Sequence, residues 1–432
     1  MRNVMKAATI EGKLPLLAVE GGCIISKDAD ITVVFRVELP ELFTVTHAEY
    51  EAIHAAWCKA VRVLPDYSVV LKQDWFIREQ SLPATGGEAS FLSRSYERHF
   101  NERPFLNHAC YLYLTKTTKE HTRMQSNFST LCRGHIIPKE INRDTARAFL
   151  EAVDQFERIM NDSGFVHLTR LTDNEITGTA GRPGLIEKYF ALSLDDTTSL
   201  QDMELRADGL RVGDKHVCLH TLSDTDDLPA RVGTDMRYEK LSTDRSDCLL
   251  SFAAPVGLLL SCDHIYNQWL FLDNSAENLQ RFEKQARNMH SLSRYSRSNQ
   301  INKEWLDQYL NEAHSFGLTS IRAHFNVVAW SDDPDELRRI RNDVGSQLAL
   351  MECRPRHNTV DAATLYWAAM PGNGGDFPAE ESFYTFIEPA LCFFTEETNY
   401  KASPSPFGLK LCDRISGRPL HLDLDDEPKR RG

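Results

Sequence analysis

The sequence has no Cys-x-x-Cys pair among its ten cysteines, no glycine-rich stretch ending in Gly-Lys-Ser/Thr, and no apolar run approaching a bilayer-spanning length of roughly 20 residues. Each absence removes a class of function. The cysteines (Cys23, Cys58, Cys110, Cys132, Cys218, Cys248, Cys262, Cys353, Cys392, Cys412) are scattered, which suits reduced thiols in a cytosol rather than a disulfide framework or a paired-cysteine zinc site. The one Gly-Lys dipeptide, Gly12-Lys13, is followed by Leu14, and the runs GTAGRPG (178–184) and GNGG (372–375) end without a lysine, so no phosphate loop is present. The longest apolar run, Cys248 to Cys262, is broken by Pro255 and Gly257, and Glu11 and Lys13 interrupt what would be the core of a secretory signal. Cationic excess is also missing. With 62 acidic against 49 basic residues the formal net charge is −13, which excludes a surface that holds nucleic acid through phosphates everywhere but leaves room for a local basic stripe.

What the sequence does carry is a long alternation of periods. His264 to Asp273 predicts a strand, Asn274 with Glu277 predicts a helix cap, and two helical stretches follow, separated by a Ser/Arg/Asn-rich break at 291–299. Ile321, Ala323, Phe325 and Val327 alternate with Arg322, His324 and Asn326, the pattern of a strand with one face buried. Asp333 and Pro334 open a helix whose apolar stripe is Leu337, Ile340, Val344, Leu348 and Met351. Thr364 to Met370 reads as a closing strand, and Ala379 to Phe394 as an aromatic helix interrupted by Pro389. Nearer the start, Ile24–Leu39, Val69–Ile77 and Cys110–Leu114 read as strands, with helices at 46–64, 91–100 and 144–161, a loop at 81–90 and a further strand at 165–168.

The order of elements in the first 170 residues matches that of 264–370, which predicts an internal duplication. The expected fold class is α+β: two lobes of ferredoxin-like or split-βαβ type, a β-rich bridging segment and a long helical hairpin. The expected division is 1–170 for the first lobe, 171–261 for the bridge, 262–395 for the second lobe, and 396–432 for a linker and hairpin.

Candidate sites are few. His216, Cys218 and His220 would share one face of a strand, but a fourth zinc ligand is missing and burial of Val217 and Leu219 already explains the strand. Cys110 near His108 and Cys132 near His135 lack any sign of the spatial arrangement a Cys-His pair requires. The basic run Arg281, Lys284, Arg287, Arg294, Arg297 and Lys303, with Phe282 and Tyr295 among it, could follow a nucleic-acid backbone or face water on a helix. The break in the helical region places Arg294, Tyr295 and Arg297 at or near the tip of a hairpin, and these are the candidate interface residues, since arginine and tyrosine are enriched where proteins meet. No catalytic, cofactor-binding or metal-binding residue is assigned.

Several long phrases resemble a known family. ISKDADITVVFRVELPELFTVTHAEYEAIH, NFSTLCRGHIIPKEI, YEKLSTDRSDCLLSFAAPVG, IYNQWLFLDNS, SLSRYSRSNQINKEW and FPAEESFYTFIEPALCFFTEETNY look like the amino-terminal half of the TraG-family ATPases of conjugative transposons, which resemble the VirB-type ATPases of type IV secretion. The resemblance implies an amino-terminal docking and assembly domain of a conjugative type IV secretion ATPase that energises assembly of the DNA-transfer apparatus or translocation of its substrate, and without a phosphate loop this chain is not expected to be an enzyme by itself. It implies that the hairpin SPFGLKLCDRISGRPLHLDL leads into a RecA-like motor domain beyond Gly432, absent here, and that ATP and magnesium belong only to that longer protein. Implied partners are inner-membrane components of the secretion apparatus and further copies of the full-length chain, at the cytoplasmic face of a bacterial inner membrane. The other reading, a nucleic-acid- or metal-binding module acting alone, rests on the basic run and on the His216/Cys218/His220 face.

Overall fold

The computed structural model of the protein describes residues 9–80, 91–133, 136–206, 209–292, 296–403 and 409–423. In chain order the first elements are α1 (Ile10–Lys13), β1 (Leu16–Glu20), β2 (Cys23–Ser26), β3 (Ile31–Glu38), α2 (His47–Arg62), β4 (Ser68–Gln80) and α3 (Phe91–Asn101). Next come β5 (Pro104–Lys116), α4 (Arg143–Asp162), β6 (His167–Arg170), α5 (Asp173–Thr177), the two-residue strands β7 (Gly178–Thr179) and β8 (Arg182–Pro183), and α6 (Leu185–Ala191). A second series follows: β9 (Met203–Arg206), β10 (Gly209–Val212), β11 (Lys215–Leu222), β12 (Asp235–Arg237), β13 (Leu249–Ser251), β14 (His264–Leu272), α7 (Ser275–Leu292), α8 (Arg297–Phe316) and β15 (Ser320–Ser331). The described chain ends with α9 (Pro334–Leu350), β16 (Arg356–Asn358), α10 (Ala362–Ala368), β17 (Phe383–Phe386), α11 (Ile387–Leu391), β18 (Leu409–Cys412) and β19 (Pro419–Leu422).

The fold is α+β, built on one 13-stranded antiparallel sheet with the path β1-β2-β3-β5-β4-β14-β15-β11-β10-β9. Read from either edge, the path meets the same kinds of strand: a two-strand meander, the first strand of a repeat, then its third, then its second. In the first repeat β6 pairs with β3, giving the order β6-β3-β5-β4, the 4-1-3-2 arrangement of a ferredoxin-like unit. In the second, β16 pairs with β11, giving β16-β11-β15-β14, the same order. The strand order therefore repeats, over β3–β6 and β11–β16 rather than over the expected 264–370: that stretch omits the second repeat's first strand, β11, and its expected closing strand at 364–370 lies largely in helix α10. The two sets of strands are joined because β4 and β14 pair antiparallel from Ser68↔Leu272 to Phe76↔His264, so both repeats share one sheet. The stretch 171–261 is divided: β9 to β11 open the second repeat, while β12 and β13 form a separate ribbon.

Local sequence explains most of the elements. Thr46 N donates to Glu49 at 2.8 Å and starts α2, whose face of Tyr50, Ile53, Trp57, Ala60 and Val61 is buried against the sheet core. Asn274 Oδ1 accepts from Glu277 N at 2.9 Å at the start of α7, and Asp333 Oδ1 caps α9 through Asp335 N at 2.9 Å. Helices α7 and α8 form the expected hairpin, with Phe282 edge-on to Tyr309 at 5.4 Å between ring centroids.

Four expectations are corrected. Ile24–Leu39 is two strands, β2 and β3, because Asp30 N bonds Ser26 Oγ at 3.0 Å and Ala29 adopts φ 67°, closing a turn between them. β15 has both faces buried: Arg322 is held by Asp273 at 2.7 Å and by the Thr122 carbonyl at 2.8 Å, and His324 by the Glu381 carbonyl at 2.5 Å. The polar half of that alternation is satisfied by protein rather than by water. Thr364–Met370 lies largely in helix α10, since a short fully buried apolar run has no period to separate strand from helix and Ala362, Ala363 and Ala368 favour the helix. Ala379–Phe394 is a 3₁₀ turn, the strand β17 and the short α11, because β17 pairs along Ser320–Ala323 of β15. The loop at 81–90 lies outside the described residues.

Candidate docking site

The ionisable clusters that could suggest chemistry are closed. On the α2 side of the sheet, Lys72 Nζ contacts Asp74 Oδ2 at 2.6 Å, Thr395 Oγ1 at 2.8 Å and Gln268 Oε1 at 3.2 Å, and His108 Nε2 contacts Asp74 Oδ1 at 2.9 Å. Burial opposes ionisation of Asp74, yet Lys72 and His108 hold its carboxyl well below the usual carboxylate range. Beside them burial pushes Glu396 up to about 8 and Glu397 up to about 7. Trp57 Nε1 donates to Glu396 at 3.0 Å, and Ser251 Oγ donates to Glu397 at 2.8 Å.

On the other face His121 sits among Asp30 (2.9 Å), Asp28 and Asp376 (3.7 Å each), with Arg133 bridging Asp28 at 3.1 Å and Asp376 at 3.5 Å. Burial disfavours the imidazolium, but Asp30 and Asp376 outweigh it and raise His121 to about 10. Lys72, Asp74 and His121 are all buried and each is paired with protein groups, while His121 Nε2 and Asp28 Oδ2 make no hydrogen bond. They organise the core.

The candidate residues of the sequence fall as follows. His216, Cys218 and His220 do share one face of β11, and His220 meets the His357 ring of β16 at 5.4 Å. Burial, with His357 and Arg341 nearby, pushes His220 down to about 4, and burial pushes the Cys218 thiol up to about 11. Among the described residues no group of three or more His, Cys, Asp or Glu side chains is placed to hold a metal ion. Cys110 is buried, and its neighbour His108 is turned to Asp74 and Thr398 instead. Cys132 is exposed, and its suggested partner His135 lies outside the described residues. In the basic run, the Arg281 guanidinium stacks on Tyr384 at 4.8 Å and Lys303 pairs with Asp307 at 3.8 Å. Arg297 opens α8 and is exposed, whereas Arg294 and Tyr295 lie outside the described residues.

The open concave surfaces mix apolar and polar side chains. Along the α7–α8 hairpin a cleft of about 430 Å³ is lined by Phe282, Met289, Trp305, Leu306, Tyr309 and Tyr384 together with polar residues that include Asp224, Gln285, Asn302 and Glu380. Trp305 is 55 % exposed, and Ile301 one turn earlier is exposed on the same side of α8. A larger groove, about 1220 Å³, runs under the β18–β19 hairpin between the loop 40–44, the β12 region and the end of α9. Its existence was not legible in the sequence, because it is assembled from segments more than 300 residues apart. The hairpin that walls it is fixed to the body by Lys410, which pairs with Glu97 at 2.7 Å and lies over the Phe100 ring, and by Leu106 N donating to the Ser416 carbonyl at 2.9 Å. No described helix is long and apolar enough to cross a membrane.

Residues 3–55 match a family described as a domain of unknown function, B. Theta Gene description (DUF3875). That span supplies the 40–44 wall of the groove. No curated protein matches the chain.

Proposed function

We propose that this chain is the docking and assembly part of a conjugation ATPase of the TraG type, related to the VirB-type ATPases of type IV secretion. The long phrases quoted above carry the family reading. The structural observation that supports a docking role is the contrast between buried ionisable clusters and open concave surfaces edged by the exposed apolar side chains of Trp305, Leu350 and Leu411. Its partners are inner-membrane components of the transfer apparatus and other copies of the full-length protein, met at the cytoplasmic face of the bacterial inner membrane. ATP and magnesium act on the motor domain of that longer protein. Affinity capture of the chain from donor cells, followed by identification of the captured proteins, tests the reading: components of the transfer apparatus are expected, and their absence beside an intact apparatus would overturn it. The second reading, a module that binds nucleic acid through the basic run, predicts a salt-dependent DNA titration with a slope set by Arg281, Lys284, Arg287 and Lys303.

A further inference from the structure

Where α9 packs over β11, nitrogen donors from three elements converge. β11 and β16 pair antiparallel with His220 directly opposite His357, which puts both imidazoles on one face of the sheet with ring centroids 5.4 Å apart. Cys218 shares that face by the period of the strand, and it packs in the core cluster that holds Leu337, Ile340 and Val344 of α9. Arg341, one turn along α9 from Leu337, is hydrogen-bonded to Cys218 and acts on both imidazoles.

The group lacks an acidic partner. Arg341 makes no ion pair among the described residues. Of the other charged side chains of α9, Arg338 pairs with Asp335 at 2.8 Å, Glu336 pairs with Arg78 at 3.3 Å, Arg339 is exposed, and Asp343 acts on Cys262 and on neither imidazole. On β16 the alternation turns Arg356 to the opposite face, where it pairs with Asp224 and Asp227 at 3.1 Å each, and β15 sets Val327 beside His220. Burial, His357 and Arg341 push His220 down to about 4, burial and Arg341 lower His357, and burial pushes the Cys218 thiol up to about 11. At neutral pH the one full charge here is therefore the guanidinium. His220 is 6 % exposed and its Nδ1 makes no hydrogen bond, while His357 and Arg341 are exposed. A buried imidazole without a partner is an unmet demand, which native proteins satisfy with water or a ligand.

The chemistry that answers all three groups is an oxyanion. A cation would have to sit beside the guanidinium, and a planar carboxylate would be satisfied by the guanidinium fork alone, whereas a tetrahedral oxyanion offers separate oxygens to donors on three elements. We propose that Arg341, His357 and His220 form a binding site for a small tetrahedral oxyanion of the phosphate class, the guanidinium supplying the charge and the two imidazoles donating hydrogen bonds. Binding takes up protons, because a bound dianion favours the imidazolium over the neutral ring. The inference does not rest on the conjugation reading.

The test titrates the folded chain with sulfate, whose charge is constant between pH 5.5 and pH 8, at an ionic strength fixed with chloride. The imidazole Cε1–Hε1 NMR resonances of His220 and His357, assigned with His220→Gln and His357→Gln, report on the site. Saturable shifts of both are expected, with an affinity at least tenfold higher at pH 5.5 than at pH 8, and inorganic phosphate is expected to compete. Arg341→Gln is expected to weaken binding at least tenfold and Arg341→Lys to restore part of it, each melting with the parent because Arg341 is exposed. Reading His357 alone suffices should His220→Gln, at a buried position, fail to fold. Resonances unmoved by sulfate, an affinity indifferent to pH or to Arg341→Gln, or shifts driven by zinc and not by sulfate would each overturn the proposal. Conjugative transfer plays no part in these readouts, so their failure leaves the assembly role untouched.

Discussion

Tyr189 and Tyr366 each donate a hydrogen bond to the other's backbone carbonyl, at 2.7 and 3.1 Å, with their rings stacked at 5.0 Å. Tyr189 belongs to α6 and Tyr366 to α10, helices that follow the fourth strand of the first and second repeats, so the exchange relates the two halves of the duplicated fold. Both sit in matching triplets, Tyr189-Phe190-Ala191 and Tyr366-Trp367-Ala368, a trace of the repeat in the sequence itself. Removing the Tyr189 hydroxyl takes this donor from the Tyr366 carbonyl, whereas without the Tyr366 hydroxyl the Tyr189 carbonyl still accepts from Leu192 N at 3.2 Å. Tyr189→Phe should lower stability by about 1–3 kcal/mol and Tyr366→Phe by about 0.5–1.5 kcal/mol, read from the urea midpoint at unchanged m-value.

A second outcome concerns pH. Burial raises Glu396 to about 8 and Glu397 to about 7 from an ordinary 4.5, so in this window the native protein holds protons that the unfolded chain has released. Their contribution to stability is complete below about pH 4.5 and is lost as pH rises through 7 and 8. Glu396→Gln keeps an acceptor for Trp57 Nε1 and removes the ionisation. Its stability relative to the parent should therefore rise between pH 5 and pH 9 by roughly 1 kcal/mol or more, measured by denaturation across that range. A difference that is flat with pH would show Glu396 to be ionised throughout.

On the opposite face His121 is the central cation of an acidic cluster. His121→Ala should cost about 3–5 kcal/mol, because it leaves Asp28, Asp30 and Asp376 facing one another with only Arg133 and Lys139 to offset them. Since His121 is raised to about 10, its contribution in the parent is present in full below the ordinary 6.5 and disappears as pH rises through 10. Gly375 supports the same cluster: a Cβ there would collide with Asp30 Oδ2 and meet His121 Nδ1 at 2.9 Å. Gly375→Ala should cost about 1–3 kcal/mol, and thermal melts of both variants check the pair.

Much of this architecture was legible because local rules and global fold agree. The caps at Thr46, Asn274 and Asp333, the stripe of α9 and the break between α7 and α8 each follow from side chains acting within a few residues of themselves. The duplication was visible in element order, but not where the second repeat starts, because β11 is separated from β14 by a ribbon instead of the helix that joins β3 to β4. α10 was unreadable as a helix since burial on all sides erases periodicity. Arg322, His324 and Asn326 looked solvent-facing because their partners, among them Asp273 and Glu381, become neighbours only on folding. The groove is a tertiary product of the same kind.

The proposed docking role is tested most directly at the helical hairpin of α7 and α8. Replacing Arg294, Tyr295 and Arg297 together by alanine in the full-length protein, and counting transconjugants from donor cells beside a thermal melt, separates loss of a contact from loss of the fold. The account predicts a melting temperature nearly equal to the parent's and transfer reduced at least tenfold. Transfer at the parental frequency from a protein that folds and accumulates normally would contradict it.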